Sequence, residues 1–288
     1  MLIFYHSINN FNNLKIQFWL QYISNLLYCF RTPQLDSEMI ISYTVQQSRT
    51  WIYIFNNIFL STSQIFLLNI FVRRRINCEP ISYIIKKKEF WSCVFRISKY
   101  VLIPRKETEF LVQEILKRIN MYDSVLDLGC GSGCISLSIA HERPYCNIIG
   151  IDSSLKSITL SKKNAKYLNI NNVYFFYSNW FSAIKRKFNI IVSNPPYIHE
   201  QEIVYMNKDC MFEPCGALIS RNHGFSDIEH IIKYAYIFLF NQGFLIIEHG
   251  WKQKEMVNFL FKKYNFFDVM SYFDFNGYYR ITLGKKVY

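Results

Sequence analysis

Glycine and proline are scarce in this chain of 288 residues, which contains ten glycines and seven prolines. Residues 1–85 contain no glycine at all. The chain has no internal repeat and no low-complexity tract, and its length allows two globular domains with a sizeable core. In residues 1–85 apolar residues recur at helical spacing without strand-like alternation, which predicts a small, all-helical N-terminal domain.

Clustered metal ligands are also lacking. No two of the eight cysteines have the two-residue gap of a zinc knuckle or a redox motif, and the six histidines are dispersed. We therefore expect no metal site, and we predict reduced, buried thiols in a cytoplasmic protein. Residues 1–17 lack the charged start, apolar centre and small-residue cleavage site of a signal peptide, so no export is predicted.

One stretch, residues 51–72, lacks charge over 22 residues and is followed by three arginines. A membrane span with a cytoplasmic flank has this pattern. Asparagine, serine, threonine and glutamine interrupt the stretch, however, and four of these residues form the cluster STSQ at 61–64. We therefore predict a helix cap there, between two amphipathic helices, and no membrane partner.

The formal charge of +12 and the pI of about 9.2 leave two explanations open. One is a polyanionic partner or environment. The other is the lysine bias of an AT-rich genome, since asparagine, isoleucine, lysine, phenylalanine and tyrosine are all abundant. The basic residues are scattered rather than gathered on one element, which favours the second explanation.

Beyond residue 85 the pattern changes twice. Residues 86–103 show partial alternation with aromatic and β-branched residues, which predicts a β-hairpin linker. Pro104 and the acids after it predict a helix over 104–120, and from residue 124 strands and helices alternate, as in a parallel sheet covered on both faces. Strands are predicted at 124–128, 147–151, 173–177, 189–193 and 244–248, with an antiparallel pair at 267–273 and 279–284. Helices are predicted at 36–47, after a break at Pro33, and at 63–75, 134–142, 154–169, 225–240 and 252–264.

A glycine-rich turn, GCGSG at 129–133, follows the first predicted strand of the sheet. Glycines there allow positive φ and close approach of the backbone to a ligand. The G-x-G-x-G spacing lacks the third-glycine offset of dinucleotide binders, and Asp152 ends the next strand, where a carboxylate can bind ribose hydroxyls. This favours a nucleoside without a pyrophosphate, namely S-adenosylmethionine. The alternative is a structural turn with a surface aspartate.

The next strand end carries Asn179 and Trp180. Asn179 is expected to hydrogen-bond the adenine and Trp180 to stack on it, although a core role for Trp180 is an equally good interpretation. With Asn194 at the following strand end, four neighbouring tips are polar or glycine-rich. We expect the first three to hold the cofactor and the fourth to hold the acceptor.

The segment IVSNPPY at 191–197 joins a buried strand to a rigid polar tip. Pro195 and Pro196 bias the backbone towards extended geometry, so the carbonyls of Asn194 and Pro195 stay free to accept hydrogen bonds. The amide oxygen of Asn194 and the carbonyl of Pro195 offer two acceptors to one NH₂ group, and Tyr197 offers a ring face. The implied guest is a planar amide or an exocyclic amine. A plain Pro-Pro turn is the alternative.

Nine motifs together resemble those of the PrmC/HemK family, the S-adenosylmethionine-dependent glutamine methyltransferases of class 1 peptide chain release factors. They are RRRINCEPISY at 73, EFWS at 89, LIPRKETEFLV at 102, DLGCGSG at 127, SNWF at 178, IVSNPPYI at 191, FEPCGAL at 212, GFLIIEHGW at 243 and RITLG at 280. The glycine turn and NPPY are shared with other methyltransferases, whereas the combination of EFWS, IPR, NPPYI and FEP is far more specific.

This resemblance implies an α/β fold, a Rossmann-like seven-stranded methyltransferase domain over 104–288. Before it would come a helical release-factor-docking domain (1–85) and a hairpin linker (86–103). The implied reaction is methylation of the side-chain amide nitrogen of the glutamine in the Gly-Gly-Gln motif. The implied cofactor-binding residues are Gly129, Cys130, Gly131, Ser132, Gly133, Asp152, Asn179, Trp180 and Asn194. The implied substrate-binding residues are Asn194, Pro195, Pro196 and Tyr197, of which Asn194, Pro195 and Tyr197 are expected to act in catalysis.

Three positions and one turn, the Asp-Tyr-Gly type turn near residue 274, depart from the family pattern. Asn179 stands where aspartate is common, Lys106 replaces a proline, and Met211 stands where arginine is common. The glycine turn and NPPY are intact.

Two other functions stay open from the sequence alone. One is an adenine-N6 nucleic-acid methyltransferase acting on an extruded base, which would explain the positive charge. No additional target-recognition domain is apparent, so a direct nucleic-acid substrate is not expected. The other is a non-catalytic relative that only binds the cofactor.

Overall fold

The computed structural model describes residues 14–274 and 276–287. The prediction that residues 1–17 are not a signal peptide lies almost wholly outside these residues. The chain divides into two compact units, residues 1–86 and 87–288. The described part of the first unit is helical, with helices at Ile16–Leu26, Pro33–Val45, Arg49–Ile54, Thr62–Ile76 and Ile81–Ile85.

The first unit follows the predicted pattern closely. The predicted cap is present: the Ser61 hydroxyl accepts from the Gln64 backbone N–H and the Gln64 side chain accepts from the Ser61 N–H. Pro33 does not break a helix as predicted but begins one, because the first helical position does not use its N–H. Within the described ranges, no helix is both long and apolar enough to cross a membrane.

A buried ion pair ties two helices of this unit together. Arg75 Nε donates to Asp36 Oδ2 at 2.7 Å, and each side chain is only 6% exposed. The Arg75 guanidinium also lies 3.9 Å from the centre of the Phe30 ring. Around the pair, Ile40, Leu68 and other apolar side chains form a core of their own.

The second unit begins with a two-stranded antiparallel hairpin, β1 (Lys87–Phe90) and β2 (Cys93–Arg96). Trp91 and Ser92 form its turn, both with positive φ, as a tight two-residue hairpin turn requires. The EFWS motif is thus a turn signature. Buried Asn164 attaches the hairpin to the glycine turn, since it bonds the Arg96 backbone and donates to the Ser132 carbonyl.

A seven-stranded sheet forms the centre of the second unit among the residues described. Its order is β5-β4-β3-β6-β7-β9-β8, and β9 alone runs antiparallel to its neighbours β7 and β8. The strands are β3 Ser124–Leu128, β4 Asn147–Asp152, β5 Val173–Tyr177, β6 Phe188–Ser193, β7 Leu239–Glu248, β8 Phe267–Phe273 and β9 Tyr279–Lys285. The prediction of a Rossmann-like α/β sheet is confirmed, and the strand order reverses between β3 and β6.

Helices flank the sheet, and their bounds agree with most predictions within a few residues. They are Glu109–Leu116, Cys134–Glu142, Leu155–Tyr167, Cys215–Leu218, Arg221–Gly224, Ser226–Phe238 and Lys254–Lys263. Short 3₁₀ turns occupy Trp180–Ala183, Glu200–Tyr205, Lys208–Phe212 and Trp251–Gln253. The predicted start at Pro104 is wrong, because the helix begins at Glu109.

All eight cysteines are free thiols. Cys130, Cys134 and Cys146 are buried as predicted, but Cys29 and Cys215 are exposed and the other three are half-buried. The prediction of buried thiols therefore holds for only part of the set.

Candidate active site

A cavity of about 520 Å³ opens where the strand order reverses, at the carboxyl ends of the parallel strands. Ligands bind at this position in open α/β sheets. Nine of the predicted site residues line it: Gly129, Cys130, Gly131, Ser132, Asp152, Asn179, Trp180, Asn194 and Pro196. Gly133, Pro195 and Tyr197 do not.

The glycine turn has the geometry that the sequence predicts. Gly129, Gly131 and Gly133 have φ values of 74°, 54° and 80°. A Cβ on Gly133 would lie 3.0 Å from both the Phe175 ring and Ser161 Cβ, so a larger residue there would also crowd these neighbours. The turn is fastened to β4, since the N–H groups of Gly129 and Cys130 both donate to the Ile151 carbonyl.

Asp152 lies beside this turn. Its carboxylate accepts from the Gly131 N–H at 2.9 Å and the Ser154 N–H at 2.8 Å. Burial raises the pKa of this carboxyl, and the two backbone N–H groups act in the opposite direction. Each carboxylate oxygen retains acceptor capacity for a ligand hydroxyl at the cavity wall.

Trp180 lies at the boundary between the hydrophobic core and the cavity, and its stacking on the adenine stays a prediction. The ring is half-buried against the hydrophobic core and also lines the cavity, where its edge lies near Gly129. Asn179 is exposed at the cavity wall and immediately precedes the 3₁₀ turn. Its amide makes no side-chain bond to cap that turn. The amide is therefore available to a ligand in the cavity.

Hydrogen bonds to Thr108 and to the neighbouring strand β3 hold the NPPY tip in place. Asn194 Nδ2 donates to the Thr108 hydroxyl oxygen at 3.2 Å, which leaves Oδ1 of the amide as an acceptor at the cavity. The Ser193 hydroxyl donates to the Leu128 carbonyl at 2.7 Å and fixes β6 to β3 just before the tip. Pro195 is buried.

Tyr197 differs from the prediction of an open ring face. Its ring packs against the core instead of lining the cavity, and its hydroxyl donates to Glu248 Oε1 at 3.4 Å. Burial raises the pKa of the phenol further above its ordinary value, so it stays protonated. The apolar neighbours and the carboxylate partner account for this inward orientation.

Sequence reasoning missed the residues that contact the backbone of the NPPY tip at Tyr197. Gln253 Nε2 donates to the Tyr197 carbonyl at 3.0 Å, and Gly224 packs so closely that a Cβ there would lie 2.2 Å from the same oxygen. Gly224 has a φ of 85°. Since these partners come from distant parts of the chain, no local pattern signals them.

The IPR and FEP motifs form the rim opposite the glycine turn. Glu213 is buried, and its carboxylate accepts from the Ile103 backbone N–H at 3.0 Å and from the Arg105 guanidinium. Arg105 and Pro214 line the cavity. The two motifs, more than 100 residues apart in the chain, are thus joined by an ion pair at the rim of the cavity.

Unpartnered polar atoms lie near the glycine turn. Asp127 Oδ1 and the Ser132 hydroxyl oxygen are buried and have no hydrogen-bond partner of ordinary geometry among the described residues. Burial raises the pKa of Asp127 to about 7, although its other oxygen accepts from Ser136. Buried polar atoms are normally satisfied, and Ser132 also lines the cavity, so its hydroxyl is open to a polar ligand there.

The residues present fit S-adenosylmethionine. The glycine turn and Ser132 would hold the methionine part, Asp152 the ribose, and Asn179 with Trp180 the adenine. Cys130 is not a nucleophile here, because burial raises the pKa of its thiol well above its ordinary value. Across the described ranges, no group of three or more side chains could hold a metal ion.

Comparison with known proteins identifies the family. Residues 105–222 match the family model for the methyltransferase small domain, and residues 19–85 match the PrmC N-terminal domain. The release factor glutamine methyltransferase of Buchnera aphidicola subsp. Acyrthosiphon pisum is 47% identical over 274 residues, covering 95% of this chain and 99% of that protein. The chain belongs to the release factor glutamine methyltransferase family.

A less similar relative carries the same name. The release factor glutamine methyltransferase of Escherichia coli K12 is 38% identical, covering 94% of this chain and 99% of that protein. The sequence-based assignment to the PrmC family is thus confirmed. The individual roles of the site residues stay predictions.

Solved structures support the fold alone. A methyltransferase from Pyrococcus furiosus has a TM-score of 0.53 at 14% identity, covering 67% of this chain and 89% of that one. A Thermus thermophilus 16S rRNA N2 G1207 methyltransferase in complex with AdoMet and guanosine has a TM-score of 0.50 at 16% identity. The alignment with it covers 69% of this chain and 49% of that one. The methyltransferase fold predicted from the sequence is confirmed.

Proposed function

We propose that this protein methylates the side-chain amide nitrogen of the glutamine in the Gly-Gly-Gln motif of class 1 peptide chain release factors, with S-adenosylmethionine as methyl donor. The observation that carries this proposal is the Asn194 amide. Its NH₂ group is engaged by Thr108 and its oxygen is left as an acceptor, in the same cavity as the glycine turn and Asp152.

A carboxamide nitrogen is a poor nucleophile, because its lone pair is delocalised into the carbonyl. The Asn194 amide oxygen and the Pro195 carbonyl would accept its two N–H groups, orient the nitrogen and stabilise positive charge as it develops. Pro196 would contact the same glutamine. Tyr197 would act from beneath, by bonding Glu248 and keeping the tip in place.

S-adenosylmethionine supplies an electrophilic methyl group on a sulfonium. With the cofactor bound, its methyl group would pass from sulfur to the amide nitrogen of the glutamine held by Asn194, and one amide proton would leave to water. The products are N5-methylglutamine and S-adenosylhomocysteine. The residues named above would hold both reactants, and direct transfer between them requires no covalent enzyme intermediate.

The division of labour along the chain is part of the proposal. Residues 1–85 would dock the release factor, residues 86–103 would act as the linker, and residues 104–288 would carry out transfer. We place the reaction in the cytoplasm, where release factors act, without a direct nucleic-acid substrate. The support is that relatives covering nearly the whole chain carry the release factor name.

The test is to incubate the full chain with methyl-labelled S-adenosylmethionine and two release factors. One is normal and one has the Gly-Gly-Gln glutamine changed to alanine. Label on the normal factor only, resistant to nuclease and sensitive to protease, is the expected result. Label on nucleic acid, or no label despite bound cofactor, would contradict the proposal and favour the adenine methyltransferase or the binding-only function.

A further inference from the structure

Glu248 ends β7 directly beside the NPPY tip. The register pairs Ile247 with Ser193, so Glu248 and Asn194 are the next residues along the two adjacent parallel strands. The Glu248 side chain is only 2% exposed, and its Oε1 accepts from the Tyr197 hydroxyl. Its Oε2 is buried without a hydrogen bond of ordinary geometry among the described residues. The mechanism above assigns this carboxyl no direct part.

Thr108 connects Glu248 to Asn194. Thr108 is buried at the cavity wall, and its hydroxyl oxygen accepts from Asn194 Nδ2 at 3.2 Å. The same hydroxyl lies close enough to Glu248 to lower the pKa of that carboxyl, while no hydrogen bond of ordinary geometry joins the two groups among the described residues. A hydroxyl that accepts one hydrogen bond can still donate its own proton, so Thr108 can join the amide to the carboxylate.

The direction of these hydrogen bonds depends on the charge of Glu248. A carboxylate only accepts, so protons point from Asn194 to Thr108 and from Thr108 to Glu248. The Asn194 amide oxygen then faces the cavity. A protonated Glu248 can donate to Thr108, whose proton can turn towards Asn194 and favour the reversed amide. Its NH₂ would then meet the NH₂ of the substrate, and two donors cannot pair.

We propose that Glu248, as the carboxylate, is a positioning residue that acts through Thr108 to keep the Asn194 amide oxygen turned towards the acceptor glutamine. This rests on the proposed glutamine methylation. Transfer should therefore require ionised Glu248 and should increase with pH as the carboxyl loses its proton.

The surroundings place this ionisation near neutral pH. Burial raises the pKa of Glu248 to about 7. Of the charged and titratable groups that face it, Arg280 and the Tyr197 hydroxyl lower the pKa and Glu107 raises it. Cys134, on the helix after the glycine turn, also senses the Glu248 charge, but burial keeps its thiol neutral.

The test is the pH profile of kcat for release factor methylation in the full chain, from about pH 6 to 8. The wild type should rise with an apparent pKa of about 7. Glu248→Gln should lose about tenfold in kcat at the high end and show no rise, because its amide can donate to Thr108 at every pH. S-adenosylmethionine binding, measured by calorimetry, should change little.

A second pair of variants examines Thr108. Thr108→Ser retains the hydroxyl and should retain the rise with pH, whereas Thr108→Val should abolish it. Glu114→Gln is a control for loss of a buried acid, since Glu114 pairs with Lys117 and Arg118 instead of facing the cavity. It should keep the wild-type profile. If Glu248→Gln fails to fold, the Thr108 pair decides.

The outcomes separate the two proposals. A wild type that labels no release factor refutes glutamine methylation itself. A wild type that labels it, with the same rise in Glu248→Gln or Thr108→Val, refutes only the role of Glu248. A flat profile in both variants, with cofactor binding retained, supports that role.

Discussion

The two units differ in how completely the oxygens of their buried carboxyl groups are hydrogen-bonded. In the first unit Asp36 pairs with Arg75, and Glu38 is bound by Arg49 and Tyr53. In the second unit two buried acids, Asp127 and Glu248, each have one oxygen without an ordinary hydrogen bond among the described residues. Burial raises the pKa of each to about 7.

This difference separates structural charge from functional charge. A buried ion pair with its hydrogen bonds satisfied fixes how helices pack. An unpartnered carboxyl oxygen costs free energy, and a fold retains it where it serves a ligand or a reaction. Both unpartnered acids lie on central strands that end at the cavity, whereas the pair of Asp36 and Arg75 lies within a helical core.

The largest effect is expected from breaking the buried pair of the first unit. Arg75→Leu leaves the Asp36 carboxylate buried without its cation, which should lower the free energy of unfolding by about 3–5 kcal/mol. Urea denaturation followed by circular dichroism measures this. Replacing both residues with leucine should restore most of the loss, since no charge is then left buried. If Arg75→Leu had the stability of the wild type, the ion pair would contribute nothing to the free energy of unfolding.

Asn194→Ala should have the next largest effect, mainly on activity. Removing the amide oxygen takes away one of two acceptors for the substrate NH₂, so kcat should fall by about 100–1,000-fold. S-adenosylmethionine binding should change much less than kcat, even though the family resemblance also places Asn194 among the cofactor-binding residues. Asn179→Ala is the comparison, because it should weaken cofactor binding more than it slows transfer. Equal effects of both variants on cofactor affinity would remove the distinction between the two amides.

Gly133→Ala examines the glycine turn, where a loss of about 2–3 kcal/mol is expected. The new Cβ would be strained at positive φ and would press on Phe175 and Ser161. Gly131→Ala is the matched control, because it has the same class of φ but open space around the new carbon. It should lose only about 1–2 kcal/mol. Thermal unfolding without cofactor measures the stability of both variants. Equal losses of stability would show that Phe175 and Ser161 move to relieve the crowding at residue 133.

Local sequence patterns predicted the sheet well. The bounds of β3 and β5 coincide with the prediction, because a short buried strand is defined by its own apolar run and the turns beside it. Helix starts were harder. Pro33 begins a helix that the sequence was expected to break, and the helix predicted to start at Pro104 begins only at Glu109.

The site was predicted where its residues are contiguous. Residues 129–132 of the glycine turn, Asp152 and Asn194 line the cavity as expected, since strand ends of a parallel sheet converge. The supporting residues Thr108, Gln253 and Glu248 were missed, because each meets the tip through a long-range contact. One signal was available: Glu248 follows the apolar run FLII at once, and an acid at a buried strand end calls for an explanation.

The smallest effect expected is a pH dependence of stability, which asks whether the unpartnered acids are costly. Because the pKa of folded Asp127 is about 7, well above that of an unfolded aspartate, the native state holds the proton more tightly. Its stabilising contribution is complete at low pH and is lost as pH rises through about 7. Between about pH 5 and 7 the wild type should therefore lose about 1–2 kcal/mol of unfolding free energy that Asp127→Asn does not lose.

Urea denaturation at both pH values measures the difference. Asp36→Asn is the control from the first unit, and if its pH dependence changed in the same way, pairing would not distinguish the two kinds of buried acid.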